Sequence, residues 1–172
     1  MGFTPLDGLM MGTRSGSFDP DIVLYLLRKG FTVDQVEEMM QKKGGLKGIS
    51  GSQDVRELRE EELAGSGGKS ELAFEMFVYR IQRFIGSYTA ALGGLEVLLF
   101  TGGVGEKAYY LRRRICENFG FLDLKLDARK NRANETVISS ADSEVTVMVV
   151  PTNEELQIAR ESFALLGDKK TA

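Results

Sequence analysis

Arg14 stands on a glycine-punctuated loop, Met11-Gly-Thr-Arg-Ser-Gly16, and residues 1–16 show no helical or strand periodicity. A cation presented on such a backbone is placed for an anionic ligand. A second glycine cluster, Thr101-Gly-Gly-Val-Gly-Glu-Lys107, lies between an apolar run and a helical pattern. Glycines there let the backbone approach a ligand closely, and free amides at a helix start favour phosphate or ribose oxygens. Two further segments hold paired charges: Asp54-Val-Arg56, and Glu154 and Glu155 within Pro151-Thr-Asn-Glu-Glu155. A lone carboxylate suits magnesium, which takes one or two protein carboxylates beside nucleotide phosphates. The chain has no histidine, so a His-dependent triad or a His-ligated zinc site has no place in it.

Each segment also has a plainer reading. Arg14 could pair with a surface carboxylate. Asp54 could be a helix cap with Arg56 solvated beside it. The second glycine cluster fits a tight strand-to-helix turn, another nucleotide-binding fold, or a Rossmann fingerprint in which Gly103, Gly105 and Ala108 are followed by Asp127 about 20 residues on. With Thr152 as N-cap, Glu155 falls where a capping box uses it, leaving Glu154 as the freer acid; either could be a surface acid favoured by the helix dipole. Arg112-Arg113-Arg114 reads as a solvated or subunit-facing edge, and Met10, Met11, Met39, Met40 and Met76 as packing residues.

The elements that must position these groups follow from capping and periodicity. Asp19-Pro20 opens a helix through Ile22, Val23, Leu26 and Leu27 to Gly30,. Thr32 with Gln35 opens a second, through Val36, Met39 and Met40 to Gly44-Gly45, followed by a turn-rich connection over 46–53,. Asp54 with Glu57 starts a charged helix to about Ala64, which Gly65-Ser-Gly-Gly68 breaks,. Ser70 to Leu92 is the central helix, with Phe77, Ile81, Phe84, Ile85, Tyr88 and Leu92 on one face,. Leu95–Phe100 reads as a strand of a parallel sheet buried on both faces; a helix over 105–119 and an exposed strand over 121–127 complete a βαβ unit,. Short strands at 136–138 and 145–150 and a helix from Thr152 through Ile158, Phe163 and Leu166 follow, with a frayed tail from Asp168,.

Composition narrows the classes. With 172 residues and 42% hydrophobic content, one domain is expected,. A net charge of -3 from interspersed charges disfavours nucleic acid and anionic membranes,. The single Cys116 cannot form an internal disulfide, and no apolar run approaches the ~20 residues of a membrane span or follows a charged start, so a cytoplasmic setting is expected,.

The stretch from Met1 through Pro5, Asp7 and Arg14 to Gly16 resembles a signature of the acetate kinase family, which has glutamate where Asp7 stands. Phe100 to Glu106 is similar to the adenosine-contacting loop of the acetate and sugar kinase, heat-shock and actin superfamily; acetate kinases follow it with asparagine where this chain has Lys107. Ser52-Gln-Asp-Val-Arg56 and Pro151-Thr-Asn-Glu-Glu155 are similar to two further family segments. The resemblance implies an α/β, ribonuclease H-like (actin-like ATPase) C-terminal lobe, partial, with a mixed sheet flanked by helices and a helical insertion. Residues 1–172 would be the nucleotide-binding lobe, with the N-terminal lobe absent. It implies Arg14 as a catalytic residue on the transferring phosphoryl group. Asp54, Val55, Arg56, Gly102, Gly103, Val104, Gly105, Glu106 and Lys107 would face the nucleotide, and Glu154 would be associated with Mg2+. The implied reaction moves a phosphoryl group between ATP and acetate, giving acetyl phosphate and ADP, in a homodimer. A propionate or butyrate kinase, or a non-catalytic nucleotide-binding or dimerisation fragment, is the alternative.

Overall fold

A computed structural model of the chain describes residues 2–65 and 68–168. Helix α1 (Asp21–Arg28) starts one residue later than expected, with Pro20 rather than Asp19 as its N-cap; the Asp19 carboxylate accepts the Asp21 N–H at 3.0 Å, and Gly30 at φ +94° closes the helix,. Helix α2 (Val33–Gln41) carries the expected capping box: the Thr32 hydroxyl accepts from the Gln35 N–H, and the Gln35 side chain from the Thr32 N–H. Residues 46–53, expected as turns, instead hold most of a short helix, α3 (Gly45–Ser50). Gly45 sits at φ +62°, where a Cβ would lie 2.0 Å from the Met11 carbonyl oxygen. Glycine permits that approach, and the Leu46 and Lys47 N–H groups then donate to the carbonyls of Met11 and Gly12,.

Next come α4 (Val55–Leu63) and the central helix α5 (Gly68–Leu92); Ser66 and Gly67 of the expected break lie outside the described residues. The buried face of α5 is rotated from the one the periodicity predicts. Ala73, Phe74 and Val78 go deepest, Phe77, Ile81 and Ile85 are part-buried, and Tyr88 and Leu92 are exposed. Strand β1 (Val97–Phe100) pairs in parallel with β2 (Thr146–Val149), Val97 opposite Thr146. The expectation of burial on both faces fails for β1, since Val97 and Leu99 are 48% and 56% exposed.

The predicted helix over 105–119 is two helices, α6 (Gly102–Lys107) and α7 (Tyr109–Cys116), broken at Ala108 with ψ 72°. The predicted strand over 121–127 is a 3-10 turn (Glu117–Leu122) followed by a single antiparallel bridge from Leu126 to Ser139. The parallel partner of β1 is therefore β2 rather than 121–127. The expected 136–138 strand is reduced to a Val137–Met148 bridge on the other edge of β2. An unanticipated helix, α8 (Ala128–Ala133), begins where the Asp127 carboxylate accepts the N–H groups of Arg129 and Lys130. Asp127 is thus a helix cap, not the strand-end acid of a Rossmann unit. The last helix is α9 (Glu154–Asp168), whose residues 154–166 are all exposed; the expected frayed tail beyond Asp168 lies outside the described residues.

The fold is a helix-rich α/β arrangement with a small parallel sheet. Helix α5 packs on α3, α4 and α7. Leu58, Phe74, Ile115, Ile138, Val145 and Val147 belong to one buried cluster that also takes in Met10 and Leu46, so the core reaches to the edge of the Arg14 loop.

Candidate functional site

The Arg14 loop is held almost entirely by its backbone. The Met11 N–H donates to the Arg14 carbonyl at 3.0 Å, Ser15 N–H to Met40 O at 3.0 Å, and Gly44 N–H to Thr13 O at 3.0 Å. The Thr13 hydroxyl donates to Gln41 O at 3.1 Å, and the Arg80 guanidinium grips Ser17 O at 2.6 Å from α5. The loop that periodicity left without structure is therefore fixed by α2, α3 and α5. Among the described residues the Arg14 guanidinium hydrogen-bonds only to the Met11 sulphur, at 3.7 Å, and has no carboxylate partner. It lines an open cavity of about 460 Å³ with Thr13, Gln41, Lys42 and Gln53. A half-buried cation without a counterion, on a fixed backbone, suits a ligand that brings its own negative charge.

Gln53 carries this cavity toward the second segment. The Asp54 carboxylate accepts the Arg56 N–H at 2.8 Å and caps α4, while the Arg56 guanidinium clamps it with Nη2 at 2.5 Å. That guanidinium, then the Arg56 N–H, holds the Asp54 carboxyl well below the usual carboxylate range, at about 2. The capping box expected with Glu57 is relayed instead: the Asp54 N–H donates to the Ser52 hydroxyl, which donates to Glu57. The side chain of Val55 lies in the core, and its carbonyl accepts from the Tyr110 hydroxyl at 3.4 Å. Arg56 is exposed and could turn to a ligand; Val55 offers only backbone.

The Gly102–Lys107 turn follows β1, as the sequence suggests. Gly102 at φ +72° lies in the left-handed region, which explains that glycine; Gly103 has open space where a Cβ would sit. Helix α6 is only six residues long, so its dipole adds little and the shape of the backbone matters more,. The kink at Ala108 denies the carbonyls of Gly105 and Glu106 their helical partners. Arg112, expected as a solvated or subunit-facing edge, supplies them. It is 0% exposed, and its Nη1 donates to Gly105 O at 2.7 Å and Glu106 O at 2.8 Å. Nε donates to Asn131 Oδ1, and Nη2 donates to Asn131 O and Asn134 Oδ1. All five donors of the guanidinium are used without a carboxylate. Burial pulls its pKa down. Nothing in the sequence separated Arg112 from its two neighbours except its place, one position after Leu111, on the buried face of α7.

The capping assignment at the last segment is overturned. The N-cap of α9 is Asn153, whose Oδ1 accepts the Leu156 N–H at 2.9 Å. Thr152 turns the other way, donating its N–H at 2.9 Å and its hydroxyl at 3.1 Å to Glu106 Oε1. Glu155 is released from a capping box, so capping no longer distinguishes it from Glu154. Both acids are exposed in the first turn of α9. The Thr152 N–H, more than any other group, lowers the pKa of Glu106.

The structure thus brings Arg14 to the Gln53–Asp54 corner, and Glu106 to the segment before Glu154. A larger hollow of about 550 Å³ beside Glu75, Tyr110, Arg113 and Arg114 holds none of the expected residues, and Arg113 and Arg114 there pair with Glu75 and Glu117. Among the described residues no group of three or more Cys, Asp or Glu side chains could hold a metal alone. Glu154 and Glu155 each stand as single exposed acids at the start of α9. No helix among the described residues is long and apolar enough to cross a membrane.

Comparison with known proteins gives one consistent result. Residues 1–160 match the model of the acetokinase family. Acetate kinase of Carboxydothermus hydrogenoformans is 47% identical over 98% of this chain and 43% of its own length. A crystal structure of Porphyromonas gingivalis acetate kinase superposes with a TM-score of 0.85 at 41% identity, over 96% of this chain and 43% of that one. A propionate kinase from Francisella tularensis gives 0.85 at 44% identity, over 94% and 42%. The chain spans less than half the length of the curated relatives it matches.

Proposed function

Because the chain belongs to the acetokinase family, we propose that residues 1–172 form the nucleotide-side, C-terminal lobe of a kinase. The reaction proposed is reversible phosphoryl transfer from ATP to acetate, giving acetyl phosphate and ADP. The observation that carries this is the extent of the family match, which runs from the Arg14 loop through the 102–107 turn to Glu154 without leaving out a segment.

In-line phosphoryl transfer needs positioning and charge neutralisation more than covalent chemistry. Arg14, on its fixed loop and without a carboxylate partner, would lie on the equatorial oxygens of the transferring group. The backbone of Gly102 to Glu106 would seat the adenosine, with Lys107, Asp54, Val55 and Arg56 around it; Val55 would contribute main chain only. Glu154 would hold Mg2+, which when bound neutralises charge on the phosphates. The acceptor carboxylate, the other lobe and the cytoplasmic setting belong to the same proposal, as does pairing of two copies in a homodimer. The propionate kinase likeness leaves a longer acyl acceptor as a variant of it. A second reading, a fragment that only binds nucleotide or dimerises, draws support from the apolar side chains exposed on α1, α5 and α9. On the kinase reading the isolated chain makes little or no acetyl phosphate, and measurable formation by the purified chain would contradict the need for a second lobe.

The test is thermal unfolding of the chain with Mg-ADP, with NAD, or with neither. Ligand at ~100 times its Kd should stabilise by about 2.7 kcal/mol. The expected result is a rise in Tm with Mg-ADP alone, lost in Arg56→Ala and in Gly103→Val. A Cβ at Gly103 meets open space, so that variant should block the ligand without disturbing the fold. No shift with Mg-ADP would leave dimerisation as the surviving function.

A further inference from the structure

The sequence resemblance puts Glu106 against the nucleotide, yet its carboxylate is already engaged, accepting both donors of Thr152 across 46 residues of chain. We propose that Glu106 is a positioning residue, a clasp that ties the 102–107 turn to the segment carrying Glu154, rather than a nucleotide contact. This deepens the kinase reading and rests on it.

Three held points make the clasp. The first is the main chain of Glu106, whose carbonyl is gripped by the buried Arg112 together with that of Gly105. Arg112 is in turn fixed on α8 by Asn131 and Asn134, and Asn131 returns a hydrogen bond from its Nδ2 to Tyr109 O at 2.9 Å. A half-buried glutamate would ordinarily wander among rotamers; this one starts from a backbone with little freedom,. The second is Thr152, held through both N–H and hydroxyl by a single oxygen, which fixes its backbone and side chain together. The third is Asn153, the next residue, which caps α9 and so sets where Glu154 begins the helix. The whole first turn of α9 is exposed, and α9 has no extensive contact with another element. The direction of Glu154 is therefore set at residues 150–153, where the Val150 N–H donates to Phe100 O and, among the described residues, Glu106 is the side chain from outside the segment that hydrogen-bonds to it. A carboxylate with both Thr152 donors on one oxygen gains from charge-assisted hydrogen bonds, consistent with the downward pull on its pKa,.

Two alternatives for Glu106 are separable from the clasp: a direct contact to the nucleotide, and a purely structural role in stability. Hydrogen exchange of backbone amides in the ligand-free chain, and titration with ADP in the presence and absence of magnesium, are measured for the parent, Glu106→Gln, Glu106→Ala and Arg112→Lys. Glu106→Gln keeps an oxygen acceptor for Thr152. The expected result is exchange at residues 150–154 raised about tenfold in Glu106→Ala and largely restored in Glu106→Gln, with α4 and α5 unchanged. In Arg112→Lys the 102–107 and 150–154 segments should both loosen. A core truncation, Val36→Ala in α2, lowers overall stability and should leave the pattern between these two segments as in the parent. In the titration, Glu106→Ala should weaken Mg-ADP several-fold and leave metal-free ADP as in the parent. Equal weakening with and without magnesium means a direct contact and overturns the clasp. Exchange at 150–154 that is the same in parent and Glu106→Ala overturns it too. If the parent binds no nucleotide, the kinase reading fails, and exchange alone decides whether Glu106 holds the segment.

Discussion

Arg14 sits on a loop that has given up most of its freedom, with Met11, Thr13 and Ser15 all bonded to neighbouring main chain. Truncating its side chain removes one contact to sulphur and no ion pair, so stability should barely change,. In the complete kinase, Arg14→Ala is expected to lower turnover about 10³-fold while nucleotide affinity changes far less. A loss below ~tenfold in steady-state turnover would remove Arg14 from the phosphoryl group. Asp54 gives a pH signature. Its folded pKa, about 2, lies below the ordinary 3.8, so the stabilisation is fully present above 3.8 and is lost as pH falls through about 2,. The pair faces solvent, so the effect is modest and shrinks with added salt,. Thermal melts across that acid range should show a fall in Tm for the parent that is smaller in Asp54→Asn, a substitution that retains a capping oxygen. Identical acid profiles would mean that the Arg56 clamp contributes nothing to stability.

The elements divide by where their causes lie. Helix α2 and the start of α4 were legible because the cap and the helix it caps sit within a few residues of each other. Helix α3 was not, because it depends on Leu46 and Lys47 donating to the distant Met11 and Gly12. The kink at Ala108 was equally hidden: local periodicity continues through it, and the guanidinium that satisfies the freed carbonyls comes from Arg112 on the following helix. The same applies to the candidate site. Residue types and spacing pointed to Arg14 and to the glycine turn, but Glu106 engaging Thr152 and the choice of Asn153 as cap required the fold. Helix α5 shows how a correct element can carry a wrong face, since Phe74 is buried and Tyr88 is not. Phe74→Ala should cost about 3–5 kcal/mol, read as a lower urea midpoint at unchanged slope. A cost under ~1 kcal/mol would mean that the core closes over the gap, or that Phe74 is not its centre.

As a whole the molecule leaves much apolar surface uncovered: Ile22, Leu24 and Tyr25 on α1, Tyr88 and Leu92 on α5, and Ile158, Phe163 and Leu166 on α9. On the proposed kinase reading these faces would meet a further chain or lobe. Sedimentation should therefore show concentration-dependent self-association. Phe163→Asp, at a side chain 79% exposed, tests whether α9 takes part; it should change stability by no more than about 0.5 kcal/mol. A monomer at every concentration would argue that these faces await a different partner. The sheet raises a separate matter, one of timing. Strand β1 finds its only ladder partner among the described strands in β2, roughly 45 residues further along the chain. At a synthesis rate of ~5–20 residues per second, β1 emerges about 2–9 s before β2 exists. During that interval Val97 and Leu99, apolar and outward-facing even in the finished fold, lie on a strand with both edges open,. On the ribosome this short stretch is expected to wait unpaired for its partner, and slower translation past Phe100 would lengthen that wait.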